Sequence, residues 1–353
     1  MPSKRKLSKM FGVNRKNALE ILGASDIFRW CHAKRIKTVL FGRKMKALHI
    51  HTPLWESVPL SMVLGAPVLL KMEALQPVGS FKIRGMGHIC QARCEAGATH
   101  LVCASGGNAG HAVAYAGRQL GVDVTIVVPK TTPEWTREMI RREGAEVVEH
   151  GEAWDDSHAY AFRLAQEKGT TNIHPFDDPL VWSGHASLVQ EVAKEGPKPG
   201  VVVVSVGGGG LLIGILTGLH QVGWSDVPVV AVETHGTDSF ASSVAAGRLV
   251  TLDAITSIAT TLGARTVAAE ALAWTSRHSI TPWVVSDRAA VDACLRFADD
   301  HRILVEPACG AALATVYDRA EPLSGKAPVL VIVCGGAGAS LALLSKWDSE
   351  ATG

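Results

Sequence analysis

No two cysteines in this sequence are spaced as C-x-x-C, and the seven present (Cys31, Cys90, Cys94, Cys103, Cys294, Cys309, Cys334) are odd in number and irregularly placed. That rules out the common zinc frameworks and a disulfide scaffold, and a reducing compartment is the natural setting. The fourteen histidines are scattered as well, without the H-E-x-x-H spacing that puts two on one helix face. Long apolar runs are missing. Val201–Val206 has the length of a strand and stops at glycines, so no bilayer span is expected. No aromatic residues alternate with regularly spaced basic ones, which leaves a dedicated nucleic-acid surface unsupported. Internal repeats and low-complexity tracts are absent too. These absences describe a soluble protein that partners neither membrane nor nucleic acid.

What remains is a chain of 353 residues, 47% apolar and 19% charged, long enough for two domains and a large core. Its charge is unevenly placed. Residues 1 to 46 hold thirteen Lys and Arg against Glu20 and Asp26, leaving twenty-two basic and thirty-one acidic residues elsewhere, a balance of −9. The expectation is a mildly acidic body behind a basic leader, 1–46. The leader has no signal-peptide apolar stretch, so it reads as an upstream start ahead of Met45 or as an organelle address. The cytoplasm is the expected location, with mitochondria as the alternative if the leader is an address.

From Leu48 onward, short β-branched runs alternate with amphipathic stretches. Val68–Met72, Leu101–Ala104, Val124–Val128 and Ala145–Val148 read as strands, and so do Val201–Val206, Val229–Val232 and Val329–Val333. Helices are expected from Ala112 to a stop at Gly121, after Pro133 to a stop at Gly144, over 154–166 and up to Leu219. Lys194–Gly200, with Pro197 and Pro199, is a turn-rich joint. This rhythm predicts an α/β protein with mostly parallel sheets, helices on both faces and two units about a cleft.

Glycine-rich turns follow three of these strands, at the end of a parallel sheet where ligands bind. Gly207-Gly208-Gly209-Gly210 opens a helix, and exposed amides at a helix start hold a phosphate dianion. Tight strand–helix packing would ordinarily take one or two glycines, not four. A dinucleotide site is the competing reading, with Glu233 on the ribose. Its third fingerprint position, however, is Leu212 rather than glycine. Gly79-Ser80-Phe81-Lys82-Ile83-Arg84-Gly85 sets Lys82 between an aromatic and a β-branched residue. Burial there would lower the ammonium's pKa, as a Schiff-base lysine requires.

From about Leu48 to the end, the chain resembles the mammalian-type L-serine dehydratase/L-threonine deaminase family of fold-type II pyridoxal-phosphate enzymes. The resemblance rests on Ser80–Gly85, Ser105-Gly106-Gly107-Asn108-Ala109-Gly110, Pro175–Pro179, Ser205–Leu212, Leu304–Gly310 and Val333–Gly336. It implies a two-domain, tryptophan synthase β-like fold. Residues 47–84 and 185–353 would form the large cofactor-binding domain, and 85–184 the small substrate-binding domain. Lys82 would carry the cofactor, Phe81 would lie against its ring, Asn108 would bind the 3-hydroxyl and Cys334 would sit at the pyridine nitrogen. Gly207, Gly208, Gly209 and Gly210 would hold the phosphate. Ser105, Gly106, Gly107 and Asn108 would hold the substrate carboxylate, with Ser105 also taking part in catalysis. A monovalent cation, K+, would lie among Gly207, Glu233, Thr237, Ser239, Leu262 and Ala264.

The implied reaction is β-elimination on an amino acid, giving pyruvate from serine or 2-oxobutanoate from threonine, plus ammonia. A homodimer and a place in gluconeogenesis come with the resemblance. Serine racemase and cysteine synthase-like enzymes share the fold and stay open as alternatives. Two positions depart from the family: Gly106, where its best-studied members have alanine, and Thr261, where relatives place a small apolar residue over the ring. Cys309 reads as a packing residue and His185 as structural.

Overall fold

The computed structural model describes residues 46–351, so the basic leader, Lys46 apart, lies outside the described residues. From Ala47 onward they form one compact unit. Its strands are β1 (Leu54–Glu56), β2 (Val68–Lys71), β3 (His100–Ala104), β4 (Asp123–Val128), β5 (Glu146–Glu149), β6 (Thr171–Ile173), β7 (Val201–Ser205), β8 (Val229–Thr234), β9 (Ile280–Val285) and β10 (Val329–Ile332). They make a six-stranded sheet in the order β1-β2-β10-β7-β8-β9 and a four-stranded sheet in the order β5-β4-β3-β6. Neighbours are parallel throughout, except for β1, which pairs antiparallel with β2 at the edge.

Parallel strands buried on both faces read as unbroken apolar runs, and β7 and β8 are buried at every position. The strands that periodicity did not reveal are the ones with weak patterns. β1 and β6 have only three residues each, and β9 is an edge strand that accommodates Pro282.

The segment around Lys82 differs from its reading as a glycine-bounded stretch: Lys82 is the first residue of a helix, Lys82–Glu95, and Gly85 lies inside it. Gly85 serves helix packing. A Cβ there would come within 2.5 Å of the His185 ring, and one at Gly184 within 2.4 Å of the Arg84 carbonyl. The helices Lys82–Glu95 and Pro179–Glu195 therefore cross at backbone distance. They run straight through both joints of the expected division, 84/85 and 184/185, and bind the two sheets together. Val181 packs in the small sheet's core, while Leu188, Val189 and Val192 of the same helix pack in the large sheet's core.

Beside that crossing lies a buried ionic network. Arg84 donates to both oxygens of Glu73 at 2.7 and 2.8 Å and to both oxygens of Glu191 at 2.7 Å. Lys71 donates to Glu191 at 2.6 Å and to the Thr52 carbonyl at 2.7 Å. Arg84, Lys71 and Glu73 are wholly buried. Burial alone would lower the guanidinium's pKa, but the two carboxylates outweigh it and hold it above the ordinary value. The network fastens the first turn of the Lys82 helix to β2 and to the second helix.

Arg84→Met should cost about 3–5 kcal/mol, because it strips buried Glu73 of its cationic partner and leaves Glu191 to Lys71. Urea unfolding of the purified protein measures this. A loss of less than about 1 kcal/mol would show that the network is not what secures the helix.

Candidate active site

The ends of the two parallel sheets face a cavity of about 580 Å³. Phe81, Lys82, Ser105, Gly106, Gly107, Asn108, the four glycines 207–210 and Cys334 all line it. Residues gathered from four separate stretches of sequence thus share one space.

Lys82 is held by what comes before it. Phe81 N–H donates to the Cys334 carbonyl and Gly336 N–H to the Gly79 carbonyl, each at 2.9 Å, with Ser80 bridged antiparallel to Gly335. The Lys82 and Cys334 turns are therefore stitched directly together. Lys82 is half-buried, and its Nζ donates to the Pro175 carbonyl at 2.9 Å. Burial lowers its pKa to about 8, against smaller upward pulls from Cys103, Cys334 and Glu306. A neutral amine is thus within easy reach near physiological pH. Phe81 lies beside it, ring centroid 5.4 Å from Nζ, and is backed by the His185 ring at 4.9 Å. His185 does not line the cavity. Burial holds its pKa well below the ordinary value, which makes it a neutral packing group.

Two long helices begin at the cavity, Asn108–Leu120 and Gly210–Gln221. Their first-turn amides have no helical carbonyl ahead of them, so each end is a natural anion seat. The glycine tetrad precedes the second helix, with Gly209 at φ +89°, in the left-handed region. A Cβ on Gly208 would strike the Phe176 ring at 2.4 Å, and one on Gly210 the Phe176 carbonyl at 2.6 Å. Close packing and anion binding therefore both call for these glycines. Ser205 Oγ, just before the tetrad, is buried without a partner and borders the same space. A nucleophilic lysine, a glycine cradle and an orphaned hydroxyl fit an aldehyde cofactor bearing a phosphate.

Cys334 also lines the cavity, and its thiol is pushed well above the ordinary value by its hydrogen bond with Cys309 and by burial. It is a neutral group. Cys309 packs behind it, as expected, at 0% exposure.

Of the six residues expected around a cation, Gly207, Leu262 and Ala264 line the cavity, whereas Glu233, Thr237 and Ser239 lie at the end of β8. Glu233 is buried and accepts N–H bonds from Phe240 and Ala241 at 2.9 and 2.8 Å. So engaged, it is poorly placed to bind a ribose, which removes the dinucleotide reading. Desolvation pushes its pKa up to about 8, and Ser239 Oγ beside it is buried without a partner.

Sequence reasoning gave no role to Glu306, although its motif was noted. It lines the cavity and accepts from Asn108 Nδ2 at 2.6 Å and from Thr261 Oγ1 at 3.0 Å. Its only sequence signal was its place before Pro307, the first residue of the helix Pro307–Tyr317. Two further contacts were also illegible. A Cβ on Gly106 would come within 2.6 Å of the Thr132 hydroxyl, so Thr132 takes up space that an alanine would claim. Trp135, on the helix Glu134–Arg142 beside the small sheet, reaches the loop that follows β10, where a Cβ on Gly338 would lie 3.0 Å from its ring.

The comparisons with known proteins agree with this geometry. The family of pyridoxal-phosphate dependent enzymes matches residues 46–335, and the chain belongs to it. Within it, the chain is 50% identical to the mouse L-serine dehydratase/L-threonine deaminase, over 85% of this chain and 94% of that one. It is 53% identical to the mouse serine dehydratase-like protein, over 82% of this chain and 90% of that one. A fungal L-serine ammonia-lyase from Rhizomucor miehei superposes with a TM-score of 0.82 at 40% identity, covering 86% of this chain and 99% of that one. The fold is that of the fold-type II pyridoxal-phosphate enzymes.

If Lys82 is the attachment point, Lys82→Ala should leave no cofactor that borohydride can fix to the chain. In the unmodified protein, reattachment to apoenzyme should quicken as pH rises and level off above about 8, because a lowered pKa brings the neutral amine in early. A rate that kept climbing towards 10.5 would mean an ordinary solvated lysine.

Proposed function

We propose that this chain is an L-serine and L-threonine ammonia-lyase that uses pyridoxal phosphate held on Lys82. The observation that carries the reading is the half-buried, low-pKa Lys82 amine, which shares one cavity with two helix N-termini that offer separate anion seats. One seat, Gly207–Gly210, suits the cofactor phosphate, and the other, Ser105–Asn108, suits the substrate carboxylate. The relatives named for serine and threonine support this assignment.

When bound, the cofactor supplies an electron sink for the charge left at Cα once a proton is removed. The chain supplies the rest. The first-turn amides of the helix Asn108–Leu120, with the Ser105 hydroxyl beside them, orient the carboxylate. Phe81 would lie against one face of the ring, and the Cys334 thiol would stand as a neutral partner at its nitrogen. The Lys82 amine, its pKa lowered to about 8, is the base within reach of the Cα proton and would take it into its amine. Loss of the β-hydroxyl and hydrolysis then give the 2-oxo acid and ammonia.

Elimination is favoured over racemisation by Cys334. A neutral thiol would leave the ring nitrogen unprotonated, whereas an ionised carboxylate would keep it protonated and a deeper electron sink, so departure of the hydroxyl would outpace reprotonation on the other face. The maize serine racemase shares the fold, with a TM-score of 0.79 at 25% identity, so racemisation is the rival to test. We also assign K+ to the Glu233, Thr237 and Ser239 corner with the main chain of Gly207, Leu262 and Ala264. A homodimer in the cytoplasm, feeding pyruvate to gluconeogenesis, completes the proposal. Among the described residues no helix is long and apolar enough to cross a membrane.

L-serine and L-threonine should yield pyruvate and 2-oxobutanoate, with D-serine a minor product by chiral chromatography. D-serine equal to pyruvate would put racemase first. Replacing K+ by a larger organic cation should lower kcat about tenfold or more, the scale of one lost ionic contact near the site. Glu233→Gln should remove that cation dependence. Turnover indifferent to K+ would dismiss the cation assignment alone.

A further inference from the structure

Thr261 stands where a small apolar side chain was expected, and its hydroxyl has a specific task. Thr261 Oγ1 donates to Glu306 Oε1 at 3.0 Å, and Asn108 Nδ2 donates to the same oxygen at 2.6 Å. All three residues line the cavity, and Glu306 is 5% exposed.

The two ends of a carboxamide have nearly the same shape, so its hydrogen-bond partners decide which end faces a ligand. Glu306 makes that choice for Asn108. An Oε1 that receives two donors is an acceptor only, and it holds the amide nitrogen on its own side. The second N–H of that nitrogen is then free to point elsewhere. A protonated Oε1 would instead present its own O–H and favour the flipped carboxamide, with Oδ1 turned to Glu306. Burial pushes Glu306 towards protonation, and the hydrogen bonds from Thr261, Asn108 and the Gly338 amide oppose it, as does the charge of Lys82. The other titratable groups around it are the buried thiols of Cys334 and Cys294, both held neutral.

We propose that Thr261 is a positioning residue that, acting through Glu306, fixes which end of the Asn108 carboxamide faces the bound cofactor. This rests on the pyridoxal-phosphate reading of the site. It assigns a function to a residue that in the sequence marked only a departure from the family.

The test is a cofactor titration of apoenzyme, reading the dissociation constant and the visible absorption maximum, with thermal unfolding checked alongside. Thr261→Val keeps the shape and removes the donor. It should weaken cofactor binding about threefold to tenfold, the range for one lost hydrogen bond, and displace the absorption maximum. Thr261→Ser keeps the hydroxyl and should stay within about twofold of the unmodified protein. Glu306→Gln should weaken binding as well, and adding Thr261→Val to it should cost less than about twofold more, because the two act in series. An unchanged affinity and spectrum for Thr261→Val, or the same penalty with and without Glu306→Gln, would overturn the proposal. Failure of the unmodified protein to bind pyridoxal phosphate would overturn the reading of the whole site. A normal unmodified protein with a silent Thr261→Val rejects only the positioning role.

Discussion

The site depends on a short antiparallel bridge between the turn that carries Lys82 and the turn that carries Cys334. Two main-chain bonds, Phe81 to Cys334 and Gly336 to Gly79, fix Lys82 and Cys334 relative to each other. They are 252 positions apart in sequence, yet neither turn can move without the other. Reaction geometry tolerates errors of well under an ångström, and backbone pairing is the surest way to that precision. The Arg84 network then secures the helix that leaves this bridge, and with it the direction of the Lys82 side chain.

Electrostatically, the cavity uses fixed dipoles more than mobile charges. Its two anion seats are helix starts, its thiol is neutral and its lysine has a lowered pKa. Glu306 is the exception, a buried carboxyl kept in place by two side-chain donors. Each departure from the family pattern has a local counterpart. Thr132 occupies the space beside Gly106, and Glu306 receives the hydroxyl of Thr261.

Much of this was legible in the sequence. Buried parallel strands are continuous apolar runs, so β7, β8 and β10 stood out, and the glycine turns after the strands marked the ligand end. β6 and β9 were hidden because a three-residue strand and an edge strand containing Pro282 carry little periodicity. The helix at Lys82 was hidden for another reason. Its glycines, Gly85 and Gly87, look like loop residues in one dimension, whereas Gly85 exists so that another helix can approach. Glu306 could not be weighed from sequence at all. An isolated acid is usually solvated, and only the fold shows that this one is buried among site residues. The Arg84 network was equally opaque, because its members come from four distant stretches of chain.

The helices that cross at Gly85 and Gly184 make the small sheet a lever. Should that sheet tilt against the large one, its fulcrum would lie beside Lys82, where the crossing, the bridge and the ionic network coincide. Displacement grows with distance from a fulcrum, so Lys82 would barely shift. Asn108 would swing further, and so would Trp135 on the far side of the cavity. Any such tilt would alter the cavity on the small-sheet side and leave its Lys82 end almost unmoved.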